Sequence, residues 1–270
     1  MNRYQDILEK DGFAVLENTI DSKLIKKIQE AINIKLIEIL INKNMKDQGD
    51  LNANFYKVKT FKTQYEIQKL LSQHLLNNNL IHKIFDNSNL MKELIFILGP
   101  DIEFMSDYEM AINAKNTDPK DHYLLKKYHQ EFWSGMGLES LQLWIPIQLT
   151  KNMGTLEMIK GSHKWGHIPH RNREPAELPN NYETKELEIK EGSIAVLSAL
   201  TLHRTVKNND DKIRIALPIT VRNFYYPNTG NSDLFNFIKV NNSYFTRLRK
   251  ILGNPHFSPF RTLEQKKKNN

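Results

Sequence analysis

His129 and Glu131, in Tyr128-His129-Gln130-Glu131, stand two residues apart near the middle of the chain. On an extended segment, side chains at i and i+2 project to the same face. A neutral imidazole nitrogen and a carboxylate oxygen held that way can take two adjacent corners of a metal's coordination shell. The best candidate for a third ligand is His203, 74 residues on, in Thr201-Leu202-His203-Arg204-Thr205. Two histidines and one carboxylate on one face of a metal make the facial triad of non-haem Fe(II) oxygenases, which leaves positions open for substrate and O2. Arg214 follows His203 by 11 residues, in the strand-like run Ile213-Arg214-Ile215-Ala216-Leu217-Pro218. A buried arginine on a strand is costly unless it meets an anion, and its planar fork suits a carboxylate. A metal triad with an arginine nearby describes a site for a metal-chelating dicarboxylate.

The elements that must position these residues fall into two textures. Residues 11–20 read as a short strand, and Asp21 or Ser22 as the N-cap of a helix running from Lys23 to about Ile41. Residues 42–60 are Asn- and Lys-rich and read as a loop. Two helical patterns follow, one through Ile67, Leu70, Leu71 and Leu75, the other from Leu80 to Leu98, stopping at Gly99-Pro100. Residues 1–99 are thus expected to be mainly helical support. From 100 to 225 the chain breaks into short β-rich runs separated by turn signals such as Asn152-Met153-Gly154 and Glu191-Gly192, the pattern of a sandwich or jelly roll. Residues 226–270 read as a C-terminal tail with a helical patch at Tyr244–Ile251. One domain of α+β class with a mainly β core, spanning 1–270, accounts for all of this.

Composition removes other chemistries. The 270 residues include no cysteine, so disulfides, thiol catalysis and Cys-ligated zinc or iron–sulfur clusters are excluded. The N-terminus is polar and no apolar run approaches 18 residues, which predicts a cytoplasmic location and no membrane partner. The net charge of +7 comes from scattered lysines, with one cluster at Lys266-Lys267-Lys268. Without a basic stripe interleaved with aromatics, no nucleic-acid partner is expected.

The sequence resembles the phytanoyl-CoA dioxygenase-like branch of Fe(II)/2-oxoglutarate oxygenases over most of residues 11–225. The resemblance is carried by Asp11-Gly12-Phe13, His129-Gln130-Glu131, Leu143-Trp144-Ile145-Pro146, the turn Gly161-Ser162-His163, and Leu202-His203-Arg204-Thr205-Val206-Lys207-Asn208-Asn209 followed by Arg214. It implies a double-stranded β-helix (jelly roll, cupin-like) with N-terminal helices packed on one sheet. It implies Fe(II) held by His129, Glu131 and His203, 2-oxoglutarate as co-substrate, and O2. Arg214 and Thr205 are expected on the distal carboxylate of 2-oxoglutarate, with Asn113 at a co-substrate-contacting position. Trp144 and Gln142 are expected to face the co-substrate from one strand. The family usually carries Asp where Glu131 stands. Glutamate remains a hard oxygen ligand, and its presence favours hydroxylation over halogenation, since halogenating relatives carry a small residue there.

Several residues are assigned to the mouth of the site. The polar stretch from Trp165 to Tyr182, with His167, His170, Arg171 and Arg173, is expected to form a lid. His122 and Tyr123 are placed on the other side, and Trp133 is read as a substrate-facing aromatic. Lys126, Lys127, Arg171 and Arg173 would suit an anionic small-molecule substrate. Gly161-Ser162-His163 is read as a structural turn. The alternative to an oxygenase is a metal-binding jelly roll without catalytic activity, and the sequence does not indicate the oligomeric state.

Overall fold

A computed structural model describes residues 3–115, 127–226 and 235–251. His122, Tyr123, Lys126 and Lys266-Lys267-Lys268 lie outside the described residues. The chain opens with α1 (Arg3–Asp11), β1 (Phe13–Leu16) and α2 (Ser22–Ile41). Gly12 joins the first two at φ +86°, and the Asp21 carboxylate caps α2 by accepting from the Lys23 amide. Ile25, Ile28, Ile32, Leu36, Ile39 and Leu40 form the buried stripe of α2.

Residues 42–60 are not the loop that their composition suggests, because α3 (Leu51–Lys59) occupies half of them. Asp50 caps it, accepting from Asn52 N and Ala53 N, while Phe55 and Val58 are fully buried. Asn54, also fully buried, donates to Asn33 Oδ1 and Asp47 Oδ1 at 2.9 and 2.8 Å. An asparagine satisfied inside the core interrupts the apolar period from which a helix is read. Next come α4 (Gln64–Asn77), with a Thr63/Glu66 capping box, then α5 (Leu80–Phe85) and α6 (Ser88–Leu98). The single pattern read over 80–98 is split at Asp86–Asn87, where Asn87 caps α6 through Asn89 N and Leu90 N.

The remaining elements are β2 (Ile102–Met105), β3 (Ala111–Asn113), β4 (Leu141–Gln148), β5 (Leu156–Ile159), β6 (His170–Arg171), β7 (Glu174–Pro175), β8 (Thr184–Glu186), β9 (Ile194–Ser198), β10 (His203–Thr205), β11 (Arg214–Asn223), β12 (Phe237–Lys239) and α7 (Tyr244–Ile251). A large antiparallel sheet has the order β1-β9-β4-β11-β2-β12, with β3 also paired to β11. A smaller sheet has the order β10-β5-β8, and β6–β7 form a separate hairpin. β1 and β12 bring chain from either end into the large sheet.

Strand alternation separates the two faces of that sheet. Leu141, Leu143, Ile145 and Ile147 of β4, with Ile215, Leu217, Ile219 and Val221 of β11, pack against the helices in one core. The opposite positions, Trp144 and Ala216, join Phe13, Ala195 and Leu197 against Leu156 and Met158 of the smaller sheet. The second core is the interior of the jelly roll, and the functional residues open from it. Among the described residues, no helix is long and apolar enough to cross a membrane.

Candidate metal centre

His129 and His203 are brought together by backbone pairing. His129 N donates to His203 O at 3.0 Å and His203 N to His129 O at 3.1 Å, an isolated antiparallel bridge at the end of β10. Cross-strand partners share a face, and the two ring centroids lie 4.2 Å apart. Each Nδ1 lies 2.9 Å from a backbone carbonyl, of Lys127 and Thr201 respectively. A proton on Nδ1 donating to that carbonyl leaves Nε2 bare and pointing inward.

Glu131 completes the group from a different kind of element. Gln130 is extended (φ −105°, ψ 138°), but Glu131 opens a 3-10 helix, Glu131–Ser134. Its Oε1 lies 3.3 Å from His129 Nε2 and 3.4 Å from His203 Nε2. Both histidines are buried, and Glu131 is nearly so. With that tautomer three lone pairs converge, and a cation among them would take all three. Adjacent corners of an octahedron with bonds of about 2.1 Å are about 3 Å apart, so the donor set fits a hard divalent metal with open positions. Among the described residues it is the only such cluster of metal-ligating side chains.

The support behind the triad is dense. Ser162, fully buried in the Gly161-Ser162-His163 turn, donates to Ile159 O at 2.7 Å and accepts from Leu202 N at 2.9 Å. Thr201 Oγ1 donates to Gly12 O at 2.7 Å. A Cβ on Gly12 would meet Thr201 Oγ1 at 2.6 Å and His163 Nδ1 at 2.5 Å, so only glycine fits. Tyr128 donates to Glu157, which also takes Arg204 Nε at 2.8 Å. Gln130, which sequence reasoning left without a role, is fully buried between the two ligands. Its Nε2 donates to Gly166 O and Leu200 O at 2.9 and 2.7 Å, and its Oε1 accepts from Ile168 N at 3.0 Å. It ties the stretch read as a lid to the triad.

A cavity of about 310 Å³ opens in front of the triad. Gln142, Trp144 and Thr205 stand in its wall, as does Arg173. Thr220 was not read from sequence, although it shares the β11 parity of Arg214; it donates to Gln142 Oε1 at 2.8 Å. Met105 and Met136 also line the cavity, and no motif marks them. Trp133 is not among the lining residues. It follows Glu131 in a 3-10 helix, where i and i+2 no longer share a face, and its indole donates to Ile168 O at 2.9 Å instead. Arg171 and Lys127 are exposed outside the cavity wall. Two larger hollows, of about 920 and 660 Å³, contain none of the triad.

Arg214 and Asn113 lie together, and neither is among the residues that line this cavity. Arg214 is buried and donates through Nη1 to the carbonyls of Met153, Gly154, Thr155 and Val206, and through Nη2 to Asn113 Oδ1 at 2.8 Å. Burial lowers its pKa to about 10, which still leaves it charged at neutral pH. No carboxylate lies within ion-pair distance of it among the described residues.

A family model for phytanoyl-CoA dioxygenase (PhyH) matches residues 8–216. The chain belongs to the phytanoyl-CoA dioxygenase family. The match runs from α1 into β11 and takes in all three triad residues. Solved structures with the same fold include the apo form of the non-haem monooxygenase ThoJ, 16% identical, covering 89% of this chain and 84% of that one at a TM-score of 0.60. Another is the epimerase SnoN in complex with Fe3+, alpha ketoglutarate and nogalamycin RO, 12% identical over 82% of each chain, TM-score 0.57. A third is the alpha ketoglutarate-dependent carbocyclase SnoK from nogalamycin biosynthesis, 12% identical, covering 88% of this chain and 96% of that one, TM-score 0.52. No curated protein matches by sequence. The architecture is therefore the jelly roll of a PhyH-family protein, with a His-Glu-His cluster that could hold a metal.

Proposed function

We propose that this PhyH-family protein is an Fe(II)- and 2-oxoglutarate-dependent dioxygenase that hydroxylates a C–H bond of a small molecule. The observation that carries the proposal is the convergence of His129 Nε2 and His203 Nε2 on Glu131 Oε1, at 3.3 and 3.4 Å, beside an open cavity. Iron bound there with 2-oxoglutarate and O2 would supply the oxidant for a C–H bond, with release of succinate and CO2. The chain's own part is to hold three donors on one face, orient the imidazoles through their Nδ1 contacts and leave space for the organic substrate.

The distal carboxylate of 2-oxoglutarate is assigned to Arg214, with Thr205 and Asn113 beside it. A buried guanidinium without a carboxylate partner favours an anionic guest. Its Nε–H and second Nη2–H make no hydrogen bond with any described residue. Gln142 and Trp144 from β4 line the cavity in front of the triad together with Thr205.

The test is calorimetric binding of 2-oxoglutarate to metal-loaded protein, followed by succinate release with Fe(II), ascorbate and O2. Both are expected in the wild type and lost in His129→Ala and His203→Ala. Metal binding without 2-oxoglutarate binding would leave a metal-binding jelly roll and overturn the assignment. The neighbours described as an epimerase and a carbocyclase motivate a second outcome for the same oxidant. Gain of one oxygen atom by the organic product identifies hydroxylation; an unchanged mass or the loss of two hydrogens identifies the others.

A further inference from the structure

β6 and β7 pair His170 with Pro175 and Arg171 with Glu174, leaving Asn172 and Arg173 as a two-residue turn. Both are left-handed, at φ 53° and 63°, the type I′ geometry whose second position favours glycine. Arginine there strains the backbone. The hairpin is nonetheless fastened to the segment that supplies His129 and Glu131. Trp133 donates to Ile168 O and its ring lies 4.7 Å from that of His170, Lys127 pairs with Glu174 at 2.7 Å, and Gln130 holds Gly166 and Ile168. The outcome is that Arg173, at the turn, stands in the wall of the metal cavity while its neighbour Arg171 does not. Arg173 makes no hydrogen bond or ion pair with any described residue.

The rest of the wall limits where an anion can sit. Asp107 and Glu109 border the cavity from the β2–β3 side, and Asp107 is engaged by Asn236 N and Nδ2 at 2.8 and 3.0 Å. Met105, Met136 and Trp144 supply apolar surface beside the triad. Among the described lining residues Arg173 is the only lysine or arginine, so beyond the metal and its co-substrate a negative group is favoured at the hairpin, with an apolar body lying across the metal.

We propose that Arg173 is a specificity-determining residue that pairs with an anionic group, a carboxylate or a phosphate, on the organic substrate. The proposal rests on the oxygenase reading for what happens to that substrate; the anion preference itself can be measured without turnover. The probes are hexyl phosphate against hexanol and hexanoate against methyl hexanoate, titrated into protein loaded with Mn(II) and 2-oxoglutarate. In the wild type and in Arg171→Gln, at least one anion binds tenfold or more tightly than its neutral counterpart. In Arg173→Gln that ratio falls below threefold, and Arg173→Lys recovers part of it. Arg173→Gly raises the melting temperature by relieving the turn and still loses the preference, a combination that a merely structural arginine would not produce. The proposal is overturned if the wild type shows no anion preference, absence of binding included, or if the preference survives Arg173→Gln. It is overturned equally if Arg173→Gln weakens 2-oxoglutarate binding tenfold, since the arginine would then serve the co-substrate. Wild-type protein that binds no 2-oxoglutarate but shows the Arg173-dependent preference on Mn(II) alone would count against the oxygenase reading and for the anion subsite.

Discussion

A carbonyl behind each ring decides what His129 and His203 can do. With Nδ1 donating to Lys127 O and Thr201 O, each ring turns its Nε2 toward Glu131, the atom that would meet a metal. His163 shows the opposite use of the same side chain. Its Nε2 is 3.1 Å from Glu9 O, while Nδ1 is buried without a partner against Gly12. Burial pulls its pKa below the ordinary imidazole value. A depressed histidine contributes stability that is whole above its unfolded pKa of about 6.5 and declines as pH falls through the folded value. Wild-type melting temperature should therefore drop more steeply between pH 7 and pH 5 than that of His163→Gln; parallel curves would show that the ring titrates freely. The three side chains that converge were legible because donor chemistry is a property of residue type and spacing. The tautomers were not, since they depend on carbonyls that only the fold brings near. Nor was the 3-10 turn at Glu131, which ends the i, i+2 parity and sends Trp133 away from the cavity.

At the level of elements, one cause hides both α3 and the attachment of the 166–175 stretch: a polar side chain satisfied inside the protein looks, in sequence, like a solvated one. Asn54 hides α3 in this way, and Gln130 hides the attachment of the 166–175 stretch to the triad. That stretch was expected to act as a lid, and in the structure it is a strap held by one buried amide, an indole and an ion pair. Gln130→Ala would leave two carbonyls and one amide N–H unpartnered in the interior. At about 1–3 kcal/mol for a buried group left unsatisfied, a loss of about 2–4 kcal/mol is expected, together with faster amide exchange over residues 166–175. Exchange that rose evenly over the whole chain, with no excess in the strap, would mean that Gln130 is ordinary core. Long helices such as α2 were readable from their apolar stripe alone, because α2 faces one core with one side.

For the molecule as a whole, the triad is a point where separate layers meet. His203 comes from the small sheet, His129 and Glu131 from the segment that crosses to β4, and the cavity wall behind them from the interior face of the large sheet. Strand order of this kind could not be read along the chain: β1 pairs with β9 in the register Phe13↔Leu197, a closure over most of the molecule. A cation among the three side chains would therefore fasten the segment carrying His129 and Glu131 to the small sheet as well as fill a site. Binding to the folded state alone stabilises by about 2.7 kcal/mol at a hundredfold excess over Kd, which in a chain of this size raises the melting temperature by about 5–10 °C. Fe(II), or Mn(II) as a redox-stable substitute, should give that rise in the wild type, and a chelator should reverse it. His129→Ala and His203→Ala should lose it. Glu131→Gln, which keeps the shape but removes the charge, should retain only a small part. A rise of equal size in all four proteins would place the cation elsewhere on the surface, and the converging lone pairs would then need another explanation.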